Sequence, residues 1–256
     1  MSTKKVLILV EGKKTEPAIV GTGKVGSAGC FDFFQLNNYE TVVYETSIYE
    51  IVDKIKEVGA DNFDLVAYLV AEKGLIISPQ IIGPPRNAFS SVYLIFDYDP
   101  HYQKFSQKSI RFLAKFFNNE TTNGKLYINY PMVESFFHIT KNHNYLKQMV
   151  STNTKTLSSY KQLVNDETIF KRRNNLTNAD LKKIIVNNYN KAKTITRARG
   201  SYIKQSRLLM SQQIKQILCK KIFVLSSIPL LYLDYNFDLV LKKYDIKRGA
   251  GGMLFP

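Results

Sequence analysis

The chain has 256 residues and an apolar share of 45%, enough for one sizeable α/β domain or a domain with a helical appendage. No run of roughly 18 uncharged apolar residues occurs, so no membrane span is expected. Two cysteines far apart, Cys30 and Cys219, exclude a disulfide framework or a cysteine zinc site and suit a reducing, cytoplasmic setting.

The formal net charge of +15 is unevenly spread: residues 1–140 carry 14 Lys and Arg against 15 Asp and Glu, and residues 141–256 carry 22 against 6. A strongly basic half beside a neutral, carboxylate-rich one points to a polyanion such as nucleic acid, because lysines and arginines laid against phosphates release counterions. The alternatives are a solvated basic surface or an acidic protein partner.

In chain order, the apolar run at residues 5–10 predicts a first strand ended by Glu11-Gly12. It resembles a short signal segment, but no small-residue cleavage site follows it. Four glycines between Gly21 and Gly29 predict a loop over the first strand's end, without the context of a phosphate-binding loop. A short strand at residues 41–45 follows. Ser47, with Glu50 three residues on, reads as the cap of an amphipathic helix ending near Gly59.

A second helix is expected over residues 62–72, a breaker at Gly83-Pro84-Pro85, a buried strand at 91–96 and a helix at 103–118. Residues 125–129 read as a strand, and Pro131 as the first residue of a helix carrying Glu134. Strands alternating with helices predict an α/β fold with a parallel sheet flanked by helices.

Beyond residue 140 the expected character is basic and mainly helical. Thr177 caps a helix over residues 178–192, and Ile203, Met210, Ile214 and Ile217 form one stripe of a helix over 201–219. A strand at 222–225 is expected to return to the sheet, and residues 249–256 read as a tail. The expected organisation is thus a catalytic domain over 1–140, a basic substrate- or partner-binding region over 141–248, and the tail.

In an open parallel sheet, ligands bind outside the carboxyl ends of the strands. Glu11 follows the first predicted strand, and Asp97 and Asp99 follow the one at 91–96, their spacing of two turning both side chains to one side of an extended chain. Glu134 lies just past a third strand. Carboxylates so gathered cannot all stay ionised without a cation among them. Hard oxygen ligands in twos and threes suit Mg²⁺, or Mn²⁺ in its place. Taken singly, these acids are also what helix caps and turns use.

Residues 8–17, Ile-Leu-Val-Glu-Gly-Lys-Lys-Thr-Glu-Pro, followed by Leu-Ile-Phe-Asp-Tyr-Asp at 94–99, resemble the TOPRIM domain of topoisomerases, primases and nucleases. With Pro131-x-x-Glu134 the likeness is closest to RloB-like and OLD-type abortive-infection proteins of bacterial phage defence, and it covers about residues 5–140. It implies a Rossmann-like sheet, Glu11 as acid/base or ligand, Asp97 and Asp99 as the magnesium pair, Glu134 at a second ion, and Glu16 as a further ligand or a helix N-terminal charge. Two ions would divide the activation of water and the stabilisation of the leaving oxygen. No tyrosine context of a topoisomerase and no zinc cysteines of a primase accompany these motifs, so hydrolysis of a phosphodiester is the chemistry implied. The implied role is that of a toxin or antiviral effector, alone, as a homo-oligomer, or with a partner ATPase or sensor.

Lys13 and Lys14 flank Glu11 and are candidates for the scissile phosphate. Arg172, Arg173, Lys182, Lys183, Arg197, Arg199, Lys204 and Arg207 are candidate phosphate contacts, with Tyr189 and Tyr202 as aromatics to stack on bases. His101 is a candidate proton carrier near Asp99. RNA such as tRNA is slightly favoured over DNA, although phosphate contacts alone do not separate them. The competing functions are a non-catalytic subunit that keeps the fold and binds nucleic acid or an ATPase, and a glycosyltransferase using the Asp-x-Asp pair.

Overall fold

The computed structural model describes residues 5–21, 39–77, 83–141, 144–170, 176–197 and 205–256, the side chains of 205–208 excepted. Strand β1 (Lys5–Val10) leads to helix α1 (Thr15–Val20), strand β2 (Tyr39–Val43), helices α2 (Tyr49–Val58) and α3 (Leu65–Lys73), strand β3 (Phe89–Asp97) and helix α4 (Gln107–Phe116). Strands β4 (Asn118–Asn119), β5 (Gly124–Asn129) and β6 (Met149–Ser151) come next, then helices α5 (Thr154–Ser158), α6 (Tyr160–Glu167), α7 (Asn178–Thr196) and α8 (Gln205–Ile217). Strand β7 (Lys221–Phe223), helices α9 (Ile228–Tyr235) and α10 (Phe237–Lys243), and strands β8 (Lys247–Arg248) and β9 (Leu254–Phe255) complete the order. No helix among the described residues is long and apolar enough to cross a membrane.

The fold is α/β, with a mainly parallel five-stranded sheet in the order β2-β1-β3-β5-β4. Interior strand β1 runs parallel to β2 and to β3, with Val10 opposite Val43 on one side and Ile95 on the other. Leu7, Ile8, Leu9 and Val10 are wholly buried, as are Leu94, Ile95 and Phe96 of β3. A parallel strand covered on both faces reads as an unbroken apolar run, which is why these two were visible in the sequence.

The chain forms two compact units, one of Met1–Phe96 with Tyr102–Leu126, the other of Asp97–His101 with Tyr127–Pro256. In the first unit, α2 is amphipathic and buries Ile51, Val52 and Ile55. Tyr49 stacks on Tyr102 at 6.0 Å, while Glu50 takes hydrogen bonds from Tyr102 and Lys104. Those two bonds, Lys104 first, hold the Glu50 carboxyl below the ordinary range. Helix α2 starts one residue later than predicted, at Tyr49 behind Ile48, and Ser47 Oγ accepts only a long bond of 3.5 Å from the Tyr49 N–H.

In the second unit, Thr177 and Asp180 form the reciprocal capping box that opens α7. Helix α7 outruns its prediction by a turn and buries Leu181, Ile184, Ile185 and Ala192. Helix α8 buries Met210 and Ile214 of the predicted stripe, with Leu209 beside them, while Ile217 is only half-buried; Ile203 lies outside the described residues.

Three expectations need correction. Pro131 does not open an α-helix: Met132 is extended, and a single 3-10 turn spans Val133–Phe136. Strand β7 pairs antiparallel with β6, not with the sheet, and the segment that follows it meets the chain after β5 through a bridge from Leu225 to Tyr130. Residues 249–256 are no tail, because β9 pairs with β8 and Leu254 is buried. The Asn190 amide holds both the N–H and the carbonyl of Leu254, at 2.8 and 2.7 Å, a tertiary contact that composition cannot announce.

Lys191 is a further surprise on α7. It is wholly buried, donates to the Gln148 carbonyl at 2.7 Å and lies 4.4 Å from the Tyr145 ring centre. Burial holds its ammonium well below the ordinary lysine value. Between that lowered value and the unfolded value near 10.4, the unfolded chain binds the extra proton, so this residue makes stability rise with pH across the window. Below the window, folded and unfolded forms are both protonated and the full cost of burying the charge is present.

Lys191→Met should therefore leave the protein between unchanged and about 3 kcal/mol more stable at neutral pH, and flatten the rise toward alkaline pH. The Gln148 carbonyl keeps a donor in the Val224 N–H at 3.2 Å. Urea denaturation from pH 6 to 10 checks this, and a loss above about 1 kcal/mol, or an unaltered pH slope, would contradict it.

Candidate functional site

In the first unit, Glu11 follows β1 directly and is half-buried, its carbonyl accepting from the Glu45 N–H at 3.0 Å. The next acid of the motif, Glu16, is buried in the first turn of α1 and accepts the Gly12 N–H at 3.1 Å. A β-carbon at Gly12 would stand 2.8 Å from a Glu16 carboxylate oxygen, so the glycine is there for close approach. Because the close atom is the end of a side chain that can shift, Gly12→Ala is expected to cost about 0.5–1.5 kcal/mol by loosening the Gly12–Glu16 hydrogen bond, read as a fall in the denaturation midpoint. Glu16→Gln should be milder, because its amide oxygen still accepts the bond. Lys13 is exposed and pairs with Glu45 at 2.8 Å, and Lys14 is exposed as well.

In the second unit, Asp97 closes β3 and is half-buried, and Asp99 follows it with φ of 26°. That backbone region is uncommon for a residue with a side chain and marks a constrained turn. The Asp99 carboxylate accepts the His101 N–H at 3.3 Å. Tyr98 between the two acids is wholly buried, and its N–H is shared by the carbonyls of Asn129 and Pro131 at 3.1 and 3.2 Å. The turn bearing both aspartates is thus fastened to the chain leaving β5.

Glu134 sits in the 3-10 turn and is 7% exposed, with Lys161 at 3.8 Å. It is not a solvated helix residue. Tyr160 is wholly buried, and burial first, then its neighbours Tyr145, Glu134, Asp97 and Glu167, push its hydroxyl well above the ordinary tyrosine value. The Tyr160 hydroxyl is 2.9 Å from His138 Nδ1, and Glu167 is 2.8 Å from His138 Nε2. A carboxylate can only accept, so Nε2–H donates to Glu167 when both are in their usual forms, and Nδ1 accepts from Tyr160.

Sequence reasoning missed this Glu167–His138–Tyr160 chain. The residues lie far apart in the chain and carry no motif. A buried histidine is a recognisable signal only once burial is known.

Other candidates fall differently. His101 is engaged, Nε2–H donating to the Thr152 carbonyl at 2.7 Å. Tyr189 is buried against Phe237 and cannot stack on a base. Lys182 is half-buried and lies 3.6 Å from Asp245, Lys183 is exposed, and Arg197 is exposed at the carboxyl end of α7. Arg172, Arg173, Arg199, Lys204, Tyr202 and the Arg207 side chain, with most of the glycine-rich loop, lie outside the described residues.

Among the described residues, no group of three or more His, Cys, Asp or Glu stands together as a ready cage for a metal ion. No family model, no curated protein and no solved structure matches this chain.

Proposed function

We propose that the protein is a TOPRIM-type nuclease, hydrolysing phosphodiesters of nucleic acid with Glu11, Asp97 and Asp99 at its centre and Glu134 in support. The observation that carries the reading is topological. Neighbouring parallel strands β1 and β3 of an α/β sheet each pass at the carboxyl end into acids of the motif, the place where open α/β sheets bind ligands. The net charge of +15 supports a phosphate-bearing substrate, although charge does not separate RNA from DNA.

The donor set is all carboxylate, the chemistry Mg²⁺ or Mn²⁺ takes. Such ions are commonly held by one or two carboxylates plus substrate phosphate, so a protein-only cage is not required. Asp97, Asp99 and Glu134 would hold the ion or ions, with Glu11 as the acid/base or a further ligand, and a bound divalent ion would supply neutralisation of phosphate charge and a more acidic water. Glu11 takes the proton of the attacking water. Lys13, now paired with an exposed Glu45, is within the same loop and can exchange that partner for a phosphate oxygen. Lys161 offsets the charge of buried Glu134 until substrate arrives.

The test is incubation of the protein with labelled tRNA, single-stranded DNA and plasmid, with Mg²⁺ or Mn²⁺ against EDTA. Metal-dependent cutting that Asp97→Asn removes supports the reading. Full cutting by Glu11→Gln and Asp97→Asn would refute the site, and tight binding without any cutting would favour a non-catalytic subunit.

A further inference from the structure

Within the second unit, an open cleft of about 620 Å³ lies among the carboxyl end of α7, the outer face of α8 and the β6–β7 pair. That volume falls in the range of roughly 300–1,000 Å³ typical of small-molecule sites. We propose that this cleft receives a nucleobase together with its attached phosphate.

The lining carries the argument. Phe223 and Met149 supply an apolar wall on which a planar ring can lie. Phe223 is fixed in place, because the buried Gln213 amide donates to its carbonyl at 3.0 Å and accepts its N–H at 2.9 Å. Gln212 and Gln216, four apart on α8, bring two primary amides to the cleft. Each presents a donor and an acceptor side by side, the pattern that pairs with a base edge. Lys147 and Arg197 stand on the lining as the cations for a phosphate, and no carboxylate lines the cleft among the described residues.

A bare anion fits less well than a nucleotide. Thr194 and Thr196 come from the last turn of a 19-residue helix, whose carbonyl end disfavours negative charge and leaves Arg197, at that same end, to offset it for a phosphate. Both threonine hydroxyls donate back to helix carbonyls, to Asn190 at 2.8 Å and Ala192 at 2.8 Å. The oxygen of exposed Thr194 keeps its acceptor capacity, suited to the exocyclic amino group of a base, whereas Thr196 is buried. Two sources share this chemistry: a free mononucleotide, and a base splayed out of a single strand.

The experiment is calorimetric titration of the whole protein in EDTA with each ribonucleoside monophosphate, with short single-stranded RNA and DNA, and with inorganic phosphate. Working without metal separates this site from the proposed hydrolysis: cutting can fail while binding stands, and the reverse. At least one mononucleotide or oligonucleotide should bind. The double variant Gln212→Ala with Gln216→Ala should weaken it roughly tenfold or more, one lost pairing being worth about that factor. Alanine suits a helix, so this variant should keep the wild-type midpoint. Binding of free mononucleotides identifies a small-molecule site, and binding of oligonucleotides alone identifies a base-reading site on a strand. Wild type binding none of these ligands, equal binding by the double variant, or competition by phosphate as strong as by nucleotide would each overturn the proposal.

Discussion

If the protein cuts nucleic acid as proposed, Glu11→Gln is expected to slow that metal-dependent cutting by ~10²–10⁴-fold, the span that a positioned acid or base contributes. The amide matches the carboxylate in size and can still accept hydrogen bonds, but it cannot take a proton at neutral pH. The backbone bond that holds this position, from the Glu45 N–H to the Glu11 carbonyl, is untouched by the change. The denaturation midpoint should therefore stay close to wild type while turnover collapses. Single-turnover kinetics with saturating protein separate this from a binding defect, since a residue acting on the chemical step lowers the rate at saturation. Asp97→Asn should lose activity in a different way, with partial recovery at raised Mg²⁺ or Mn²⁺, because an asparagine oxygen remains a weak ligand for a hard cation. A Glu11→Gln protein that also recovers with metal would make Glu11 a ligand, not a base.

The parts of the fold legible beforehand were those fixed by local pattern. Runs of buried apolar residues in β1 and β3, and the Thr177 cap of α7, follow from periodicity and capping, which act within a few residues. What escaped was decided by distant partners. Residues 249–256 are glycine-rich and read as a tail, yet the Asn190 amide seats Leu254 from 64 positions away. Glu134 was readable as an acid after a strand, but its burial beside Lys161 was not, because the 3-10 turn that carries it has no helical period. Tyr189 had the same aromatic signature whether it faced a base or a core, and the packing of Phe237 decides for the core.

The largest stability effect should come from a residue that no motif names. Asn188→Ala is expected to cost about 2–5 kcal/mol. Asn188 is wholly buried; its side-chain oxygen accepts from the Tyr145 hydroxyl at 2.7 Å and the Ser226 N–H at 2.8 Å. Both donors are themselves buried, so removing the acceptor strands two polar groups away from water. Asn187→Ala, one residue earlier, removes only a local bond to the Lys183 carbonyl and should stay within about 1 kcal/mol. Urea midpoints of the two variants check the contrast, and equal losses would show that the hub does not carry the unit. The effect should reach the acidic turn as well. Ser226 and Ser227 also bond the Asn129 side chain at 3.1–3.2 Å, and the Asn129 carbonyl accepts the N–H of Tyr98, which stands between Asp97 and Asp99. Loosening Asn188 therefore loosens the platform under the two aspartates. Any metal-dependent activity of Asn188→Ala should fall at temperatures where the variant is still folded, whereas Asn187→Ala should track wild type.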